Sequence, residues 1–115
     1  MKTLVKTALI GLAATTSAPV IAAPIMFEES MARAEEQKIL SSPIAGIYNS
    51  LWFDYRIDVI EAQKELKSDL RRATDTEDMR DAWDEYATEL RHERRDYVKD
   101  MAKRGYRSGT VIIEG

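Results

Sequence analysis

The sequence predicts an all-α fold: an antiparallel αα-hairpin of two long helices, preceded by a short helix and followed by an extended C-terminal tail. Two long stretches carry apolar residues at steps of three or four, the spacing of one helix face. The turn signal between them is very short, and a short connection makes neighbouring helices run antiparallel. The chain has 115 residues and no cysteine, so it is limited to one domain without disulfides or thiolate sites.

Residues 1–22 have the features of a cleaved secretory signal peptide. Lys2 and Lys6 give a short cationic start, and residues 7–18 are uncharged and rich in Ala, Leu and Ile. Small residues occupy the −3 and −1 positions of a cleavage site after Ala22. The alternative is a retained anchor, but the apolar stretch is shorter than the ~20 residues that a membrane-spanning helix needs. We therefore expect export, to the periplasm first and to the extracellular medium as the alternative.

Signal cleavage changes the charge balance of the working protein. The 93-residue mature chain loses two lysines, which leaves 15 basic against 20 acidic residues and a net charge of −5. This charge argues against a nucleic-acid partner, which requires a concentrated positive surface, and against contact with an anionic membrane surface. Without a disulfide, a chain of this size depends on helix packing, a bound ion or a partner for its stability.

The region before the hairpin, residues 23–42, is predicted to be a lead segment that contains a short helix. Good helix formers run from residue 27 to 40, although apolar positions are sparse among them. Ser42 followed by Pro43 then matches a helix N-cap and first-turn proline, so the first long helix is predicted to begin here and to continue to about residue 73.

The hairpin is predicted to occupy residues 43–105. Thr74 and Glu77 match a capping box that starts the second helix, and Gly105 is a suitable stop after its last turn. Each helix has about 30 residues and a length of roughly 45 Å. The tail, residues 106–115, contains a β-favouring apolar run that is either frayed or available to add a strand to a partner's sheet.

Apolar stripes on the two long helices define the predicted core. The stripe of the first helix consists of Ile44, Ile47, Leu51, Tyr55, Val59, Ala62, Leu66 and Leu70. The stripe of the second helix consists of Met79, Trp83, Tyr86, Leu90, Tyr97 and Met101. Aromatic residues at this helical spacing are typical of a core and not of a ligand-binding box.

Charged residues are sorted onto opposite flanks of both stripes. In an antiparallel pair, matching flanks face each other, so one rim of the hairpin becomes acidic and the other basic. The acidic pairs predicted to approach each other are Glu65 with Glu85, Glu61 with Glu89, and Asp58 with Glu93. Like charges at such distances are mildly destabilising, so we expect the rims either to be solvated or to be filled by another group.

A second apolar group on the first long helix indicates a protein-interaction surface. Phe53, Ile57 and Ile60 lie opposite the core stripe, and Trp52 lies on its edge. An exposed patch of this kind marks an interface. The alternative is that the lead helix folds back over these residues through Phe27, Met31 and Ile39. The full set of predicted interaction residues is Trp52, Phe53, Ile57, Ile60 and the tail residues Val111, Ile112 and Ile113.

A weaker alternative is a divalent-cation site on the acidic rim. Glu89 and His92 form the Glu-x-x-His pair that carboxylate metal sites in helical bundles use. Asp58, Glu61 and Glu93 would supply further oxygen ligands. Di-iron bundles need two such pairs and the chain has one, so an exposed histidine is the simpler interpretation. No other cofactor is expected.

The sequence contains no recognisable catalytic motif. Cysteine nucleophiles are absent, the glycines do not form a phosphate-binding loop, and the single histidine has no serine in a nucleophile motif beside it. We therefore expect an exported protein-binding module and not an enzyme, acting as an accessory subunit or a chaperone-like adaptor. Its partner would be another protein or further copies of itself. A cation-responsive protein and a membrane-surface amphipathic protein are the second and third interpretations.

Overall fold

The computed structural model describes residues 25–107 of the chain. The predicted signal peptide and the predicted interaction residues Val111, Ile112 and Ile113 lie outside this range. The described part contains three α-helices and no strand: α1 (Phe27–Glu36), α2 (Ser50–Arg72) and α3 (Thr76–Lys103). The predicted all-α fold is confirmed, with two long helices packed as a hairpin after one short helix.

The start of α2 differs from the prediction. The segment after Pro43 forms a short 3-10 turn (Ile44–Gly46), in which Ala45 and Gly46 have positive φ angles of 56° and 71°. A helix cannot continue through this left-handed backbone. The N-cap is therefore Asn49, whose side chain accepts a hydrogen bond from the Trp52 backbone N–H at 3.1 Å. The cap predicted at Ser42 is wrong.

The capping box of α3 lies one residue later than predicted. The Asp75 carboxylate accepts a hydrogen bond from the Asp78 backbone N–H at 2.8 Å. The Asp78 carboxylate in turn accepts one from the Thr74 backbone N–H at 3.0 Å. Asp75 is thus the cap instead of Thr74, and Asp78 takes the reciprocal role predicted for Glu77. Asp78 bonds the residue before the cap and not the cap itself, and the two side chains together satisfy two backbone N–H groups at the start of the helix.

The predicted end of α3 is confirmed. Gly105 has a φ of 91°, a left-handed conformation that glycine adopts without the steric cost of a Cβ. Tyr106 donates its backbone N–H to the Met101 carbonyl at 2.9 Å, and Gly105 donates to the Ala102 carbonyl at 2.9 Å. These two bonds form a Schellman motif, which satisfies carbonyls that the helix end leaves without partners.

The core lies between α2 and α3 and is richest in aromatic rings near the open end of the hairpin. Tyr55 and Tyr97 stack with ring centroids 5.0 Å apart, and Trp52 lies 5.7 Å from Tyr97. The two tyrosine hydroxyls also accept hydrogen bonds from the segment between α1 and α2. Leu40 N–H donates to Tyr55 and Ile44 N–H donates to Tyr97, each at 3.0 Å. This segment is therefore fixed to the hairpin.

Most of the predicted stripe residues are confirmed in the core. Met79 is the exception, because its side chain is 40% exposed. It lies in the first turn of α3, close to the end of α2, where little of α2 remains to cover it. The buried stripe residues are Ile44, Tyr55, Val59, Ala62, Leu66, Trp83, Tyr86, Leu90, Tyr97 and Met101, while Ile47, Leu51 and Leu70 are partly buried against them.

The short helix α1 packs against α3 and runs parallel to it. Ala32 is completely buried at this contact. The alternative in which the lead helix folds back over Phe53, Ile57 and Ile60 is not the arrangement in the structure, because these three side chains are exposed. Phe27 and Met31, which were expected to make that contact, are 70% and 45% exposed. The position of α1 is explained by charge, since its glutamates face the arginines on the basic rim of the hairpin, formed by Arg80, Arg91 and Arg94.

Candidate protein-interaction surface

One face of α2 carries large apolar side chains that nothing in the described chain covers. Phe53 and Ile57 are 51% and 52% exposed, and Ile60 is 42% exposed. Tyr48, directly before the helix, is exposed too, and its ring lies 6.3 Å from that of Phe53. We call these four residues the α2 apolar face. A contiguous exposed patch of this type is a feature of interaction sites, whereas single exposed apolar residues are common on any protein.

Trp52 does not belong to this face. It is only 5% exposed and packs between Tyr55 and Tyr97, so its placement with the exposed group is corrected. The reason is rotational: Trp52 shares its side of the helix with the core residue Val59, whereas Phe53 is turned a further 100° away. The Arg56 guanidinium lies 5.8 Å from the centre of the Trp52 ring and covers its outer edge.

The basic rim is occupied by α1. Glu35, a buried carboxylate, accepts hydrogen bonds from Arg94 at 2.8 Å and from Arg91 at 3.3 Å. Burial acts to raise the pKa of Glu35, but the hydrogen bond and charge of Arg94, together with Lys38 and Arg91, outweigh it and leave that pKa below its usual value. Glu35, near the end of α1, thus balances the positive charges of Arg91 and Arg94 within the same chain.

Further contacts of α1 extend this occupied rim toward the start of α3. Arg80 pairs with Glu28 at 3.2 Å. The Arg33 guanidinium lies 4.7 Å from the centre of the Trp83 ring, in a cation–π arrangement. The Tyr86 hydroxyl donates a 2.6 Å hydrogen bond to the carboxylate of Glu36, and burial followed by this bond raises the pKa of Tyr86. The basic rim is therefore not a free surface.

The acidic rim has no such cover from the described residues, and its carboxylates lie close together as predicted. Glu93 is hydrogen-bonded to Asp58 across the two helices. Burial, this hydrogen bond and the negative charges of Asp58 and Glu89 raise the pKa of Glu93 to about 7. Glu93 therefore retains its proton to a higher pH than a free carboxyl group does. The prediction that Asp58 approaches Glu93 is confirmed.

The same rim continues toward the turn of the hairpin. Burial raises the pKa of Glu85, and the charges of Glu65, Asp69 and Glu89 add to the effect. Glu65, Asp69, Glu85 and Glu89 line a narrow groove that is open to solvent. The predicted approach of Glu65 to Glu85 is thus confirmed, and the groove presents negative charge along the seam of the two helices.

The structure brings only part of the predicted metal-ligand set together. His92 is exposed and lies 3.2 Å from Asp96 on its own helix. Within residues 25–107 there is no group of three or more His, Cys, Asp or Glu side chains arranged to hold a metal ion. Of the five proposed ligands, Asp58, Glu89 and His92 each act on the pKa of Glu93, while Glu61 lies on the exposed flank of α2.

Comparison of the chain with models of known protein families, with curated proteins and with solved structures gives no match. None of the described helices is both long enough and apolar enough to cross a membrane. What the geometry offers is an apolar face on α2 with acidic residues on one side and basic residues on the other.

Two features of this surface are missing from the sequence prediction. Tyr48 was assigned to the interior of a helix, so its position beside Phe53 was not foreseen. The contact of α1 with the basic rim was also missed, although the spacing of Glu28, Glu35 and Glu36 against the arginines of α3 contained a signal for it. Opposite charges on two predicted helices favour packing of those helices, whereas the prediction considered only apolar contacts for α1.

Proposed function

We propose that the chain is an exported, non-enzymatic protein-binding module, an accessory subunit or chaperone-like adaptor, that binds its partner through the α2 apolar face. The observation that supports this proposal is the exposure of Phe53, Ile57 and Ile60 in one stripe, after both other helices have packed elsewhere. Exposing such a stripe to water is unfavourable by roughly 25 cal/mol per Å² of apolar surface, and a partner that covers it recovers this free energy.

The charges beside the face favour a helical partner. Asp54 and Glu61 follow the stripe on one side, and Arg56 and Lys67 follow it on the other. An amphipathic helix placed along α2 would contact the apolar stripe with its own apolar side and meet both rows of charge at its edges. Electrostatic complementarity at such edges selects the partner and its orientation more than it adds affinity.

Export is the second part of the proposal, and it rests on the N-terminal sequence. The full-length chain expressed in a Gram-negative bacterium should be recovered from the periplasmic fraction, and intact-mass measurement should give a chain that begins at Ala23. A cytoplasmic product that retains Met1 would contradict export. Replacing Ala22 with a bulky charged residue serves as the control, because it removes the small −1 residue that the peptidase requires.

Binding is tested by affinity purification from a periplasmic extract, followed by mass spectrometry and by reconstitution with each purified candidate. Ile57→Asp should abolish retention of the partner and change the free energy of unfolding by less than about 1 kcal/mol, because the residue is half exposed. Met79→Asp is the matched control: it places the same charge on another exposed apolar residue, and binding should persist. Retention of the partner by Ile57→Asp at parental affinity would refute the proposed face.

A further inference from the structure

We infer that the occupant of the α2 apolar face is the same face of a second copy of this chain, with the two α2 helices parallel. This inference rests on the proposed function, since it names the partner of the proposed surface. Three observations support it: the register of the apolar residues on α2, the placement of the charges beside them, and the direction in which those charges match.

The apolar residues have the register of a short coiled-coil seam. Phe53, Ile57 and Ile60 are separated by four and three residues, which corresponds to positions d, a and d of a heptad. All three are on an uninterrupted helix and point away from α3. Lys64 occupies the next a position, so the apolar seam ends there.

The charges that border this seam are complementary between copies. In the same register Arg56 is a g position and Glu61 is the following e position. In a parallel pair, the g residue of one helix faces the e residue five positions later on the other. Two symmetric Arg56–Glu61 pairs would therefore form, one on each side of Ile57. Within residues 25–107 neither side chain makes an ion pair.

The direction of the helices follows from the same charges. A two-fold axis along the helices brings the acidic flank of one α2 against the basic flank of the other. A two-fold axis perpendicular to the helices would instead place the acidic flank of one copy, with Asp54 and Glu61, against the acidic flank of the other. Repulsion between these like charges is unfavourable. The hairpin permits the parallel arrangement, because α3 packs on the opposite side of α2 and α1 packs on α3.

The size of the seam determines the strength of the pair. Three apolar residues span about two turns, or roughly 11 Å of helix, which is less than the area of a standard stable interface. We therefore expect a reversible dimer. Light scattering of the purified full chain should show a weight-average mass that rises toward twice the monomer mass at concentrations on the order of 100 μM. A mass that stays at the monomer value throughout would overturn the inference.

Charge reversal tests the pairing itself. Arg56→Glu and Glu61→Arg should each weaken the dimer about tenfold, because two attractive pairs become repulsive. An equimolar mixture of the two variants should restore association to near the parental level, since both pairs are then attractive again. A mixture that associates no better than either variant alone would overturn the parallel register. Circular dichroism melting curves confirm that each variant stays folded.

Single-cysteine variants distinguish a parallel from an antiparallel dimer, and the natural chain contains no cysteine that would interfere with cross-linking. In the parallel dimer, Phe53→Cys and Ile60→Cys should each form a disulfide with their own counterpart under mild oxidation. In an antiparallel dimer only the mixture of the two variants would cross-link, and this result would overturn the inference. A strict monomer that nevertheless binds another periplasmic protein in an Ile57-dependent way would also overturn it, while leaving the proposed function intact.

Discussion

The carboxyl groups of Asp58 and Glu93 meet across the seam of α2 and α3 and share a hydrogen bond. Two acids at this distance cannot both ionise without a cost in free energy, so one of them retains its proton to an unusually high pH. The pair marks the centre of the acidic rim and lies on the flank of α2 next to the apolar face. We therefore expect the stability of the hairpin to depend on pH near neutrality.

Glu93→Gln should stabilise the protein at pH 8 and have little effect at pH 5. The folded-state pKa of Glu93 is about 7, above its ordinary value of 4.5, so the folded protein holds a proton that the unfolded chain releases. The contribution of Glu93 to the free energy of unfolding is therefore fully present below about pH 4.5 and is lost as pH rises through 7. The glutamine keeps a donor for Asp58 without the charge. Allowing for partial exposure, we expect a gain of about 1–2 kcal/mol at pH 8.

Urea unfolding at unit steps between pH 5 and pH 8 measures this difference. Asp54→Asn is the matched control, because it removes an exposed carboxylate from the same helix, and its difference from the parent should not vary in this way. A constant difference between Glu93→Gln and the parent across the whole range would show that the pair does not share a proton.

Glu35→Gln should loosen α1 from the hairpin. The change removes the charge from a carboxylate that is 6% exposed and bonded to Arg91 and Arg94, and leaves those guanidinium groups poorly paired. We expect a loss of about 1–3 kcal/mol at pH 7. Because the folded-state pKa of Glu35 is lowered, this contribution is present above the unfolded-state pKa and disappears as pH falls through the folded value.

The control for this variant is Glu29→Gln on the same helix. Its carboxylate lies 3.6 Å from the exposed Arg33 in an i,i+4 pair, and its loss should cost less than about 0.5 kcal/mol. Hydrogen exchange should also become faster in α1 of the Glu35→Gln protein before it does in α2 or α3. Equal stability of the two variants would mean that α1 is not held by the basic rim.

Asn49→Ala should destabilise the fold by about 1 kcal/mol, the usual contribution of an N-cap side chain. Asn49 accepts a hydrogen bond from the Trp52 N–H and lies 3.5 Å from the Met101 sulfur. Ser42→Ala, at the cap predicted from the sequence, should have almost no effect, since Ser42 is exposed and seven residues before the true cap. Chemical denaturation of both variants compares the two positions, and a larger loss at Ser42 would place the helix start at Pro43.

Tyr97→Phe should cost about 1–2 kcal/mol, because it leaves the buried N–H of Ile44 without its acceptor. The ring that stacks on Tyr55 is preserved, so the loss reports the hydroxyl alone. Tyr48→Phe is the control: that hydroxyl is exposed, and its removal should change stability by less than about 0.5 kcal/mol. Thermal unfolding measures both, and equal melting temperatures for the two variants would contradict the role of Tyr97 as an anchor.

The sequence by itself determined the hairpin, its acidic rim and its helix ends to within a few residues in most places. Apolar spacing identified the core from Tyr55 to Met101, because packing between two helices requires one apolar stripe on each. The rotational order of the charges placed Asp58 near Glu93 and Glu65 near Glu85 for the same geometric reason. Gly105 was identified because few residues other than glycine adopt a left-handed backbone without strain.

Only the tertiary structure decided where α1 packs and what remains exposed. The choice depends on contacts between residues far apart in the chain, such as Glu35 with Arg94, and on the path of the segment that leads to Asn49. Apolar spacing could not predict this choice, because α1 has few apolar residues and is held by ion pairs. With α1 bound to the basic rim, Phe53, Ile57 and Ile60 stay in solvent, and the proposed function follows from that arrangement.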